Sequence, residues 1–202
     1  MTNKFSIPIR PLSLLLLLTL ACEDEMTPGP KTHAAADIYL VSTEDGETYS
    51  KGEWTGNASF EYQDGVTTLE VNLSGMVPGS LHAMHLHQGT LEQPGRHWNQ
   101  EQFVSFCTKR SLGEIWAKTF AGDIGNIEID EEGNGFFTIQ TDLWSLGTQD
   151  STDISGTVLF VHENFEDFPN ECDPFHGHDH PHINTKIAGG TVVLGSELLT
   201  AN

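Results

Sequence analysis

The chain has 202 residues, 37% of them hydrophobic, with 29 acidic against 9 basic side chains and a formal charge of −20 at pH 7. A balance that negative keeps a protein soluble and excludes nucleic acid as a partner, and it repels small anions at long range. The length accommodates one modest domain behind a targeting segment.

Lys4 and Arg10 precede an apolar run over residues 12–21. Ten residues are too few to cross a bilayer as a helix, so residues 1–21 read as a signal peptide. Cys22 follows Leu18-Thr19-Leu20-Ala21, which resembles a bacterial lipobox whose cysteine is lipidated and becomes the new N-terminus. Residues 22–32, with Glu23-Asp24-Glu25 and then Thr27-Pro28-Gly29-Pro30, form a tether. The expected product is an exported cell-envelope lipoprotein, facing periplasm or cell surface, with its domain over residues 33–202. Ordinary secretion without the lipid is the alternative.

Beyond the tether, alternating or β-rich segments recur at residues 37–42, 53–62, 67–73, 81–87, 124–129, 135–143, 156–162 and 190–195. Turn signals such as Glu44-Asp45-Gly46, Gln63-Asp64-Gly65, Val77-Pro78-Gly79 and Glu132-Gly133-Asn134-Gly135 separate them. No segment carries an apolar period of 3.6, so the pattern predicts an all-β domain of eight antiparallel strands. Two long loops remain, residues 88–121 and 163–188. Loops of that length in a compact domain usually carry function.

The fourth segment contains His82, His85 and His87. Side chains alternate along a strand, so His85 and His87 project from one side about 7 Å apart and can grip one ion. Imidazole suits copper, zinc, iron and nickel. The plain alternative is a half-exposed strand with two solvated histidines. Four further sets of residues decide between them: Gly95-Arg96-His97-Trp98-Asn99; Ala121-Gly122-Asp123-Ile124-Gly125-Asn126; Gly156-Thr157-Val158-Leu159-Phe160-Val161-His162-Glu163; and Lys186-Ile187-Ala188-Gly189-Gly190.

In order, type and spacing these motifs resemble the copper/zinc superoxide dismutases over about residues 34–196. The resemblance implies a Greek-key β-barrel, related in architecture to immunoglobulin sandwiches, and superoxide as substrate. It gives His85, His87, His97 and His162 as copper ligands, with His97 the bridging imidazolate and a catalytic proton carrier. It makes His82 a structural histidine and Asp123 a zinc ligand or, without zinc, the group that orients His97. Lys186 stands where the family carries an arginine that draws in the anion, so it is a second catalytic candidate; lysine keeps the charge and loses the bidentate fork. Glu166 or Asp167 stands where the family has an aspartate that orients a ligand histidine.

The departures are as informative. The family's remaining zinc ligands are histidines, yet Phe120 occupies the nearer position and no histidine lies between His97 and Asp123. Two ligands fall short of the four a zinc ion needs, so the usual zinc site is expected to be missing or rebuilt, as in copper-only relatives. The tract His176, His178, His180, His182 could supply imidazoles to a zinc beside Asp123, but alternation with Gly, Asp and Pro reads more simply as a solvated, loosely metal-scavenging loop. With Cys22 lipidated, Cys107 and Cys172 are left to form a disulfide in an exported chain, tying the two long loops together. Neither occupies the family's own cysteine positions; Gly189 sits at one of them. The competing function is a copper-binding lipoprotein that stores or delivers the metal without turnover. Oligomeric state leaves no mark in the sequence.

Overall fold

The computed structural model of the protein describes residues 28–100, 121–166 and 184–195. Cys22, Cys107, Phe120, Asp167, Cys172 and the histidines from His176 to His182 lie outside the described residues, as does the 1–21 segment.

Ten strands make up the described fold: β1 (Thr32–Thr43), β2 (Tyr49–Gln63), β3 (Val66–Leu73), β4 (Leu81–Gly89), β5 (Pro94–His97), β6 (Asp123–Glu128), β7 (Gly135–Thr141), β8 (Val158–His162), β9 (Lys186–Thr191) and β10 (Val193–Leu194). All pair antiparallel in one sheet of order β5-β4-β8-β9-β1-β2-β3-β7, with β6 on β4 and β10 on β1. The sheet curls until β6 and β7 meet across the turn closed by the Ile129–Gly135 bridge. The expected all-β, Greek-key architecture is what the chain adopts: β3 crosses to β4, and β7 crosses to β8.

All eight expected segments lie on strands, and two differences have physical reasons. β5 falls inside an expected loop because Pro94 and Gly95 are poor strand residues; it forms by adding to the edge of β4, with His97 opposite His87. The last segment is longer and broken at Val192, where the chain leaves β8 and continues along β1, Leu194 lying opposite Ala34.

Strand β3 shows why the pattern was readable: its residues alternate between exposed and buried, with Leu69 and Val71 fully inside. β4 and β8 are different, buried on both faces. Met84, Leu86, Leu159 and Val161 face the barrel core with Ile38, Phe60 and Ile127. On the other face, Val158 and Phe160 pack with Tyr49, Val41 and Leu91 in a second, smaller apolar cluster. His85 and His87 share that outer face, opposite Phe160 and Val158 in the register.

β9 slots between β8 and β1 only because it has no side chains where it is tightest. A Cβ on Gly190 would lie 2.2 Å from the Asp37 carbonyl oxygen, and one on Gly189 2.6 Å from the Phe160 ring. Any side chain at position 189 would have to displace the Phe160 ring in this packing.

Candidate metal centre

His85, His87, His97 and His162 come together on the outer face of β4, β5 and β8. One nitrogen from each lies within 4.8 Å of the others. The ring centroids of His85 and His87 are 6.2 Å apart, as expected for two residues on one strand face. The His97 ring lies tilted against that of His85, centroids 4.1 Å apart, because β5 brings it across from β4.

Each imidazole is oriented by an oxygen outside the cluster. His87 donates from Nδ1 to the Gly95 carbonyl at 3.0 Å, and His162 from Nδ1 to the Asn184 carbonyl at 2.9 Å. His85 donates from Nε2 to Glu166 Oε2 at 2.8 Å, and His97 from Nδ1 to Asp123 Oδ1 at 3.3 Å. A backbone carbonyl only accepts, so the nitrogen facing it carries the proton and the other nitrogen carries the lone pair. The Nε2 atoms of His87 and His162 consequently face each other at 3.3 Å, two lone pairs with no proton between them.

Burial keeps those lone pairs unprotonated. It lowers the His162 pKa to about 3, helped by the charge of His85, and it pushes His87 well below the ordinary histidine value, helped by His97. Four imidazoles with a nitrogen each within 4.8 Å of the others are a borderline nitrogen donor set that fits a transition-metal ion. A spacing of 3.3 Å is also what two ligands roughly 2 Å from one ion span at a near-tetrahedral angle.

The surroundings are built by bulges. An extra residue on β6, between the Met84–Gly125 and His85–Asp123 pairs, sets Asp123 opposite His85; Gly125 takes the bend with φ 130. An extra residue on β9, Ile187, sets Lys186 directly opposite His162. Lys186 Nζ lies 5.6 Å from the Tyr49 ring centroid and 5.8 Å from that of Phe160, and burial lowers its pKa. Its charge reaches both His87 and His162, further lowering their pKa values.

His82 stands apart from the cluster, as the resemblance implied. Its Nδ1 donates to the His162 and Glu163 carbonyls at 2.9 and 3.0 Å, and its Nε2 meets Ser80 Oγ at 2.7 Å. Of the two acidic candidates, Glu166 is the one found against His85. Asn126 holds it there, accepting from the Glu166 amide and donating to the Glu166 carbonyl at 3.0 and 2.9 Å.

The family model for copper/zinc superoxide dismutase (SODC) matches residues 54–195. The chain belongs to the copper/zinc superoxide dismutase family. Its similarity to a Cu-Zn superoxide dismutase of Humicola lutea is 28% identity over 120 residues, covering 56% of this chain and 73% of that protein. Structures of a mutant and a double mutant of a SOD-like protein from Bacillus subtilis share its fold. Both give a TM-score of 0.57 and 17% identity over 79% of this chain, covering 97% and 96% of theirs. Among the described residues, the four motif histidines His85, His87, His97 and His162 are assembled into one cluster, and Asp123 lies against His97 at its edge.

Proposed function

We propose that this protein is a copper-dependent superoxide dismutase of the cell envelope. One observation carries the reading: four imidazoles, each tied outward through an N–H, turn their remaining nitrogens into a common space. His85, His87, His97 and His162 would hold the ion. Copper bound there supplies alternating one-electron chemistry, oxidising one superoxide to dioxygen and reducing a second, which leaves as hydrogen peroxide after taking two protons.

The chain's own residues account for the rest. His97 is 22% exposed at its side chain while the other three histidines are buried, so of the four rings it is the one placed to exchange a proton with water and pass it to a bound anion. Asp123, held against Nδ1, keeps the ring from turning as that proton comes and goes. Zinc is not required for this: the carboxylate takes over the orienting task. Lys186 supplies a local positive charge that offsets the long-range repulsion of a chain carrying −20. Lipidation at Cys22 and a Cys107–Cys172 disulfide belong to the same proposal and rest on the sequence alone.

The test is to load the purified protein with copper alone and measure metal stoichiometry beside superoxide dismutation. Fast turnover at about one copper per chain and no zinc supports the proposal. Tight copper binding without turnover favours storage or delivery instead, and absence of copper binding sinks both.

Lys186 offers a second handle. Lys186→Gln is expected to slow turnover about tenfold at low salt and to reverse the salt dependence, so that added salt speeds the reaction by screening the remaining repulsion. Lys186→Arg should behave like the parent. Stopped-flow rates across ionic strength check this, and an unchanged salt slope in Lys186→Gln would remove Lys186 from the anion path.

A further inference from the structure

The segment after β8 rejoins the barrel through a narrow neck just before β9. Glu163 donates its amide to the Thr185 carbonyl at 2.7 Å, and Ala83 of β4 donates to the Asn164 carbonyl at 3.1 Å. Between these two fixed points sits Asn184, whose side chain engages the Asn164 backbone from both ends. Its Oδ1 accepts from the Asn164 amide at 2.9 Å, and its Nδ2 donates to the Asn164 carbonyl at 3.0 Å. The backbone carbonyl of the same residue receives the His162 Nδ1–H at 2.9 Å.

We infer that Asn184 is a positioning residue of the metal centre: its carboxamide clamps the neck so that its own carbonyl holds His162 with the Nε2 lone pair facing His87. The inference deepens the copper reading above and rests on it. Two consequences meet at this one side chain. Rotation of the Asn184 peptide would free His162 to carry its proton on either nitrogen, and the rings protonated on Nε2 would then present an N–H to the ion. The clamp also fixes the chain two residues before Lys186, so it sets where β9 begins and keeps Lys186 opposite His162. Nothing in the residue type at position 184 announces this, since the contact to the ligand is made by backbone.

The neck contains a built-in control. Asn164 gives its partner only backbone atoms at close range; its side chain reaches Asn184 Oδ1 at no better than 3.4 Å. Two asparagines facing each other across the neck should therefore respond very differently to truncation. The experiment compares the parent, Asn184→Ala and Asn164→Ala as full chains. Copper(II) affinity is measured by chelator competition, the electron paramagnetic resonance spectrum of the copper-loaded forms is recorded, and circular dichroism of the metal-free forms checks the fold. Asn184→Ala is expected to bind copper roughly 10–100-fold more weakly and to show a changed copper spectrum, while Asn164→Ala matches the parent in both.

Parent-like affinity and spectrum in Asn184→Ala would overturn the inference. So would equal losses in both variants, which would assign the effect to the loop as a whole, or loss of the fold in Asn184→Ala, which would assign the clamp to the barrel. A parent that binds no copper would instead refute the functional reading, and is distinguished from the other outcomes by the parent sample alone.

Discussion

His162→Ala is expected to abolish stoichiometric copper binding and to bring dismutation down to background. The reason lies in how few atoms define the site. His87 and His162 present opposed Nε2 lone pairs 3.3 Å apart, and each is held in that tautomer by a carbonyl that cannot accept the ring any other way. Removing an outer hydrogen-bond partner of a metal ligand costs about 10–100-fold in affinity or activity; removing the ligand itself should exceed that, by at least about a thousandfold. His82→Ala is the matched contrast. That histidine is also buried and lies against the same strand, yet both of its nitrogens are committed to Ser80 and to backbone carbonyls. It should keep one copper per chain and lose about 2 kcal/mol of stability, from a buried group removed and carbonyls left without their donor. Metal analysis after dialysis, with denaturant unfolding of the same samples, separates the two. Loss of copper in His82→Ala with full retention in His162→Ala would reverse the assignment of the site.

The second large effect is on the metal-free protein, which should weaken as the solution turns mildly acidic. An unfolded chain protonates His162 near the ordinary value of 6.5, whereas in the fold that proton is refused down to about 3. Between those values the unfolded state binds more protons, so stability is complete above pH 6.5 and is lost as pH falls toward 3. From pH 7 to pH 5 this one group removes about 2 kcal/mol, and His87, shifted the same way, adds to it. A melting temperature lower by roughly 4–8 °C at pH 5 than at pH 7 follows for a domain of this size. Copper opposes the trend, because it occupies the lone pairs and stabilises only the folded state. Urea titrations of the metal-free parent and of His162→Leu at the two pH values check the origin. The variant should lose a substantial part of the slope; identical slopes would place the acid sensitivity elsewhere among the carboxylates.

How much of this was readable from the residues follows from what each feature depends on. The strands that carry an exposed and a buried face, such as β3, alternate in the sequence because they alternate in space. β5 does not, since Pro94-Gly95-Arg96-His97 becomes a strand by docking on β4 and not by propensity. The four histidines were legible because imidazole is a distinctive side chain at a distinctive spacing. Their orienting partners were legible only where a side chain does the work. Asp123 was named as the candidate to hold His97, and Glu166 was one of two choices for a ligand histidine. The acceptors for His87 and His162 are carbonyls of Gly95 and Asn184, and a carbonyl is the same at every position. Asn126, which pins Glu166, was present in a quoted motif without a role, because a carboxamide gripping a backbone leaves no pattern in type or spacing.

The double burial of β4 fixes the register on which the histidine cluster depends. Met84 and Leu86 point to the core and His85 and His87 to the outer face, so a slip of one residue would drive two imidazoles into oil and turn two hydrophobes toward the metal. The barrel's own packing rejects that slip before any ion arrives. The register that gathers the histidines is thus set by apolar packing on the opposite face of the same strand.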